Sequence, residues 1–124
     1  MDLTFKAGAG LVVARIFGKR LFFIQYVNNT PVIISIDKVK FPLEGMLKRF
    51  PDLQGKSYDE MRTITAERIK EHLDKMTTEK EVEDYVAEEL KSIGCQLIMK
   101  SKPGFRPVFY VEGKEIGVNA KWTY

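Results

Sequence analysis

At 124 residues, with a net charge of +3 and 44% hydrophobic side chains, the chain has the size and apolar content of a single folded domain spanning residues 1–124. A domain of this length buries roughly two-thirds of its unfolded-chain surface, so its core needs no disulfide or metal staple. One cysteine and one histidine exclude an internal disulfide and a Cys/His zinc site, and they fit a reducing compartment.

The apolar run Ala7 to Ala14 is short, follows both Asp2 and Lys6, and meets Arg15 with no small-residue cleavage pattern, so a signal peptide is not expected. Arg15, Lys19 and Arg20 interrupt it far short of the ~20 residues of a membrane helix, and a cytoplasmic protein without membrane contact is predicted. Three strands come next, Leu11–Phe17, Leu21–Val27 and Val32–Ile36, each rich in β-branched and aromatic residues. Gly18-Lys19 suits a two-residue hairpin turn, and Asn28 to Pro31 supplies a second turn. Phe22, Ile24 and Tyr26 alternate with Leu21, Phe23 and Val27, so both faces of the sheet carry apolar side chains and both are expected to be covered.

Helices occupy the centre. Pro42 is predicted at the first helical position of a short helix that Pro51 stops. Ser57 with Glu60, and Thr78 with Glu81, read as capping boxes. Behind the first, Tyr58, Met61, Ile64, Ile69, Leu73 and Met76 share a helical face, and the β-branched run Thr63-Ile64-Thr65 suggests a late start to the regular helix. Behind the second, Val82, Tyr85, Val86, Leu90 and Ile93 form an apolar stripe that Gly94 terminates. The last third returns to strands at Cys95–Lys100, Val108–Glu112 and Glu115–Ala120, the last two joined around Gly113-Lys114. The predicted fold is therefore α+β, a mainly antiparallel sheet in βββ-ααα-βββ order with the central helices packed on one face.

Charge follows these boundaries. Residues 1–56 carry nine Lys/Arg against four Asp/Glu, residues 57–94 six against eleven, and residues 95–124 five against two. Abundant Lys and Glu with only three Asn and three Gln is a bias shared with thermophile proteins. Gly55-Lys56-Ser57 is not a phosphate loop, because Phe50 stands where that loop needs glycine and no strand precedes it. Gly8-Ala9-Gly10 lacks the third glycine of a dinucleotide fingerprint, since position 13 is Val13. The acidic residues of 79–89 spread around one helix rather than converging from several elements, and helix-dipole complementarity explains them. No cofactor and no metal is expected, and no paired catalytic groups point to an enzyme.

What remains is the basicity of the two ends. Lys100, Lys102, Phe105 and Arg106 interleave cations with an aromatic around Gly104, a composition suited to phosphate neutralisation and base stacking. With Arg15, Lys19 and Arg20 they form the expected site of a nucleic-acid-binding module. The order of elements excludes an RNA-recognition motif. The rival expectation is a self-associating, homodimeric interaction module in which Phe22, Ile24 and Tyr26, or the opposite set, meet a partner subunit. A third is a small enzyme using Cys95 and His72, which requires the two to meet in space.

Overall fold

The computed structural model describes residues 1–7, 10–17, 20–27, 30–101, 109–111 and 114–116, with side chains described for 1–6, 10–16, 21–26 and 30–101. Four strands come first: β1 (Asp2–Ala7), β2 (Gly10–Phe17), β3 (Arg20–Val27) and β4 (Thr30–Ile34). Helices α1 (Leu43–Arg49), α2 (Tyr58–Leu73) and α3 (Glu79–Ser92) follow, with 3₁₀ turns at Ile36–Lys38 and Pro51–Leu53. Then β5 (Gln96–Ser101) returns to the sheet, while β6 (Phe109–Val111) and β7 (Lys114–Ile116) pair with each other in a separate two-stranded sheet. The main sheet is antiparallel throughout, in the order β4-β3-β2-β1-β5.

The α+β class and the antiparallel sheet drawn from both ends of the chain match expectation, but the order of elements does not. Four strands precede the helices rather than three, and one joins the main sheet after them. The additional strand is β1, where Leu3 and Phe5 point into the core while Thr4 and Lys6 point away, a clean period of two. The third predicted strand also shifts to Thr30–Ile34, leaving Ile36 buried in a 3₁₀ turn. In the β6–β7 ladder Val111 pairs with Lys114, so the connecting pair is residues 112–113, one position earlier than expected. The Gly18-Lys19 turn lies outside the described residues, between the paired Phe17 and Arg20.

Helix ends follow local chemistry. The Ser57 hydroxyl accepts from the Glu60 amide at 3.2 Å and the Thr78 hydroxyl from the Glu81 amide at 3.2 Å. In each box the glutamate carboxylate reaches back to the capping hydroxyl, at 3.1 Å and 3.2 Å, rather than to the backbone. The α2 helix runs from Tyr58 straight through Thr63-Ile64-Thr65, because burial of Met61, Thr65, Ala66, Ile69 and Leu73 outweighs the weak propensity of that run. Pro42 is the N-cap of α1 rather than its first residue. Helix α3 ends in a Schellman turn: Cys95 N–H bonds to the Leu90 carbonyl and Gly94 N–H to the Lys91 carbonyl, each at 2.9 Å, with Gly94 at φ +97°.

The core lies between the helices and one sheet face. Leu3, Phe5, Val12, Ala14, Ile16, Leu21 and Phe23 from the strands meet Met46, Met61, Ile69, Leu73, Val82, Val86 and Leu90 from the helices. Two positions in it give opposite predictions. A Cβ at Gly45 would lie 1.5 Å from the Ile93 carbonyl oxygen, so α1 touches the end of α3 backbone to backbone. Helix propensity alone favours Gly45→Ala by ~1 kcal/mol. The contact predicts instead a loss of ~3 kcal/mol in denaturant unfolding, the upper part of the overpacking range. The Thr65 hydroxyl is fully buried without a hydrogen-bond partner. Thr65→Val keeps the shape and removes that cost, and should raise stability by ~1 kcal/mol in the same assay.

Candidate functional site

The side of the sheet away from the helices is organised in cross-strand rows. One row runs Met99, Thr4, Val13, Ile24, Ile33; the row beside it holds Ser101, Asp2, Arg15 and Phe22. Toward the other end lie Gln96, Lys6 and Leu11, and Tyr26 paired with Pro31. Val13, Phe22 and Ile24 are buried yet belong to no part of the helix-side core. Around them several apolar side chains are exposed beside the polar Lys6 and Gln96: Leu11 is 45% exposed, Tyr26 48%, and Ile98 and Met99 53% each. Of the trio expected to meet a partner subunit, only Tyr26 is therefore presented.

Asp2 and Arg15 are direct cross-strand neighbours, and the guanidinium forks onto the carboxylate at 2.9 and 2.8 Å. That fork raises the Arg15 pKa against the opposing effect of burial, and it commits most of the Arg15 charge within the sheet. Lys100 pairs with Leu3, one residue along from Asp2, so it lies on the helix side. The two expected nucleic-acid contacts with described side chains are thus on opposite faces. The Arg20 side chain and all of Lys19, Lys102, Phe105 and Arg106 lie outside the described residues.

The most irregular element of this face is β5. Thr4 pairs with Met99 and its neighbour Phe5 with Leu97, so Ile98 is an extra residue without a partner on β1, a β-bulge. It brings two exposed apolar side chains together on an edge strand. Sequence reading missed this pair, because Leu97-Ile98-Met99 reads as one buried apolar run and nothing in the residue types marks where the ladder slips. Leu11 was missed because it opens a run of apolar residues, Val12 to Ala14, that are all buried.

A second cluster ties the helices together. The guanidinium groups of Arg49 and Arg68 both lie over the Phe50 ring, at 4.8 and 4.7 Å from its centroid. Arg49 forks onto the buried Glu89 carboxylate at 3.1 and 3.3 Å, and Arg68 forks onto Asp52. Beside them His72 stacks on Tyr85, with centroids 5.3 Å apart and planes at 12°, while its Nδ1 lies 3.0 Å from the Arg68 carbonyl. Burial and then the Glu89 charge push the Tyr85 phenol far up, so it stays neutral. Both guanidinium groups hold carboxylates of the same chain, and the arrangement joins α1 to α3 and α2 to the Pro51–Leu53 turn.

His72 thus spends its described contacts on Arg68 and Tyr85. Cys95 is buried in the core behind the Schellman turn, and burial pushes its thiol up to about 11. Among the described residues no group of three His, Cys, Asp or Glu is placed to hold a metal ion. None of the described helices is long and apolar enough to cross a membrane. No protein-family model matches the chain, no curated protein matches it, and no solved structure matches it.

A thiol at about 11 and shielded from solvent is a poor nucleophile near neutral pH. Cys95 should react with an aromatic disulfide reagent at pH 8 at least a hundredfold more slowly in the folded protein than in denaturant. Native-state reaction at the rate of a free thiol would restore the Cys95 enzyme reading.

Proposed function

We infer that the protein is a self-associating module, with a second copy of the chain as the partner. The observation that carries this is the exposed Ile98–Met99 pair on the edge strand β5, at the margin of a sheet face that also presents Leu11 and Tyr26. Scattered apolar side chains are ordinary on a protein surface, but a pair on an open strand edge is what native proteins usually avoid. The charge on this face supports the same reading. Asp2 and Arg15 neutralise each other, which leaves Lys6 as the one exposed charged side chain of the three rows among the described residues. No catalytic step is assigned.

Nucleic-acid binding through Arg15, Lys19, Arg20, Lys100, Lys102, Phe105 and Arg106 is the competing proposal, and one pair of measurements separates the two. Sedimentation equilibrium from 1 to 100 µM should give a dimer, and Ile98→Lys with Met99→Lys should shift it to monomer with an unchanged circular dichroism spectrum. A monomer over the whole range overturns the self-association reading. A monomer that binds single-stranded oligonucleotide at low salt, and loses that binding on charge reversal at Lys102 and Arg106, would put nucleic acid in its place.

A further inference from the structure

The bulge in β5 gives this strand a property that a regular strand of the same length lacks. Gln96, Met99 and Ser101 pair with Lys6, Thr4 and Asp2, all on the side of the sheet away from the helices. Leu97 and Lys100 pair with Phe5 and Leu3, on the helix side. Ile98 is the inserted residue, exposed to the same 53% as Met99, and a bulge sets two such residues against a single partner position. The five paired residues alternate away, toward, away, toward, away, and with Ile98 placed beside Met99, whose exposure it shares, the sides from Gln96 to Ser101 run away, toward, away, away, toward, away. The order is the same from either end.

That symmetry decides which strand β5 can pair with. Opposite residues of an antiparallel pair point to the same side of the sheet. A regular six-residue strand, turned end for end about its centre, sets inward positions against outward ones and cannot pair with itself in that register. With the bulge at Ile98 it can. We propose that the outer edges of two β5 strands pair antiparallel about a twofold axis between residues 98 and 99, joining two five-stranded sheets into one of ten strands. This pairing rests on the self-association reading above and names its geometry.

Ile98 then faces Met99 of the partner subunit, Leu97 faces Lys100 of the partner subunit, and Gln96 faces Ser101 of the partner subunit. The two exposed apolar side chains bury each other at the axis. Lys100, the one charged residue of the strand, meets an apolar stem-packing neighbour and never its own copy. Within the main sheet the outer side of β5 pairs with no described strand. The other edge is guarded: β4 is shorter and carries Pro31, which offers no N–H to a partner.

Single cysteines on a Cys95→Ala background test the register. Opposed antiparallel residues sit within the Cα separation a disulfide spans. Mixing Ile98→Cys with Met99→Cys chains, or Gln96→Cys with Ser101→Cys chains, and oxidising mildly should yield cross-linked dimer at least tenfold faster than mixing Gln96→Cys with Ile98→Cys chains. If Cys95→Ala does not fold, the same cysteines are placed in the wild-type background, where Cys95 is buried. Equal rates for opposed and unopposed pairs, in a protein that sediments as a dimer, overturn the β5 pairing and leave self-association standing. A protein that sediments as a monomer overturns both.

Discussion

The backbone contact between Gly45 and Ile93 governs how the two halves of the fold meet. A helix that carries any side chain at position 45 cannot approach the end of α3 this closely, since a Cβ there would fall 1.5 Å from the Ile93 carbonyl oxygen. The approach sets α1 across the Schellman turn, where Gly94 at φ +97° reverses the chain and Cys95 N–H closes onto Leu90. That reversal aims the residues after α3 back along the sheet, antiparallel to β1. The fifth strand, and with it the bulge, therefore depends on two glycines that do different work. Gly45 is needed for space, and Gly94 for its backbone conformation.

The helical layer held in this way covers one sheet face. Its own integrity comes from apolar burial and from a polar cluster at its rim. Arg49 gives Glu89 a charge-assisted fork at the edge of the core, which is how a carboxylate with 8% exposure stays satisfied. The Phe50 ring packs against both guanidinium groups while their charges are occupied by carboxylates. The exposed Lys80–Asp84 pair belongs to a different class, screened by solvent and of little weight for stability. The acidity of residues 57–94 is thus spread over caps, a solvated helix face and one buried fork, with no group of three acidic, His or Cys side chains placed to hold a metal ion among the described residues.

Local chemistry was the legible part of this sequence. Both capping boxes, the α3 stripe and the Gly94 terminator follow from residue types at fixed spacing, and the structure has them where the spacing puts them. The β1 strand was equally legible in principle, with Leu3 and Phe5 against Thr4 and Lys6. Its alternation is half polar, whereas the strands beside it are runs of β-branched and aromatic residues that carry a stronger strand signal. What could not be read was where ladders slip and which face a residue takes as a result. Arg15 and Lys100 look alike as basic residues near strand ends, yet their partners Asp2 and Leu3 place them on opposite sides of the sheet. Pairing register is a tertiary property, and one residue of shift exchanges the faces of everything beyond it.

That last rule also explains why the bulge matters more than its single residue suggests. An inserted residue in an edge strand is usually understood as protection, since it bends the edge away from incoming strands. Protection of that kind works against partners of regular alternation, whose side chains would meet the wrong faces beyond the insertion. It does not work against a strand with the same insertion at the matching place. A central bulge makes an even-numbered strand mismatch an ordinary partner and match its own copy, so the irregularity excludes most partners while admitting one. The charge layout points the same way, because Lys100 opposes general association of the edge but falls against Leu97 in the self-paired register. On this view the bulge at Ile98 is a specificity device. It permits an exposed apolar edge on a protein that still avoids indiscriminate strand pairing.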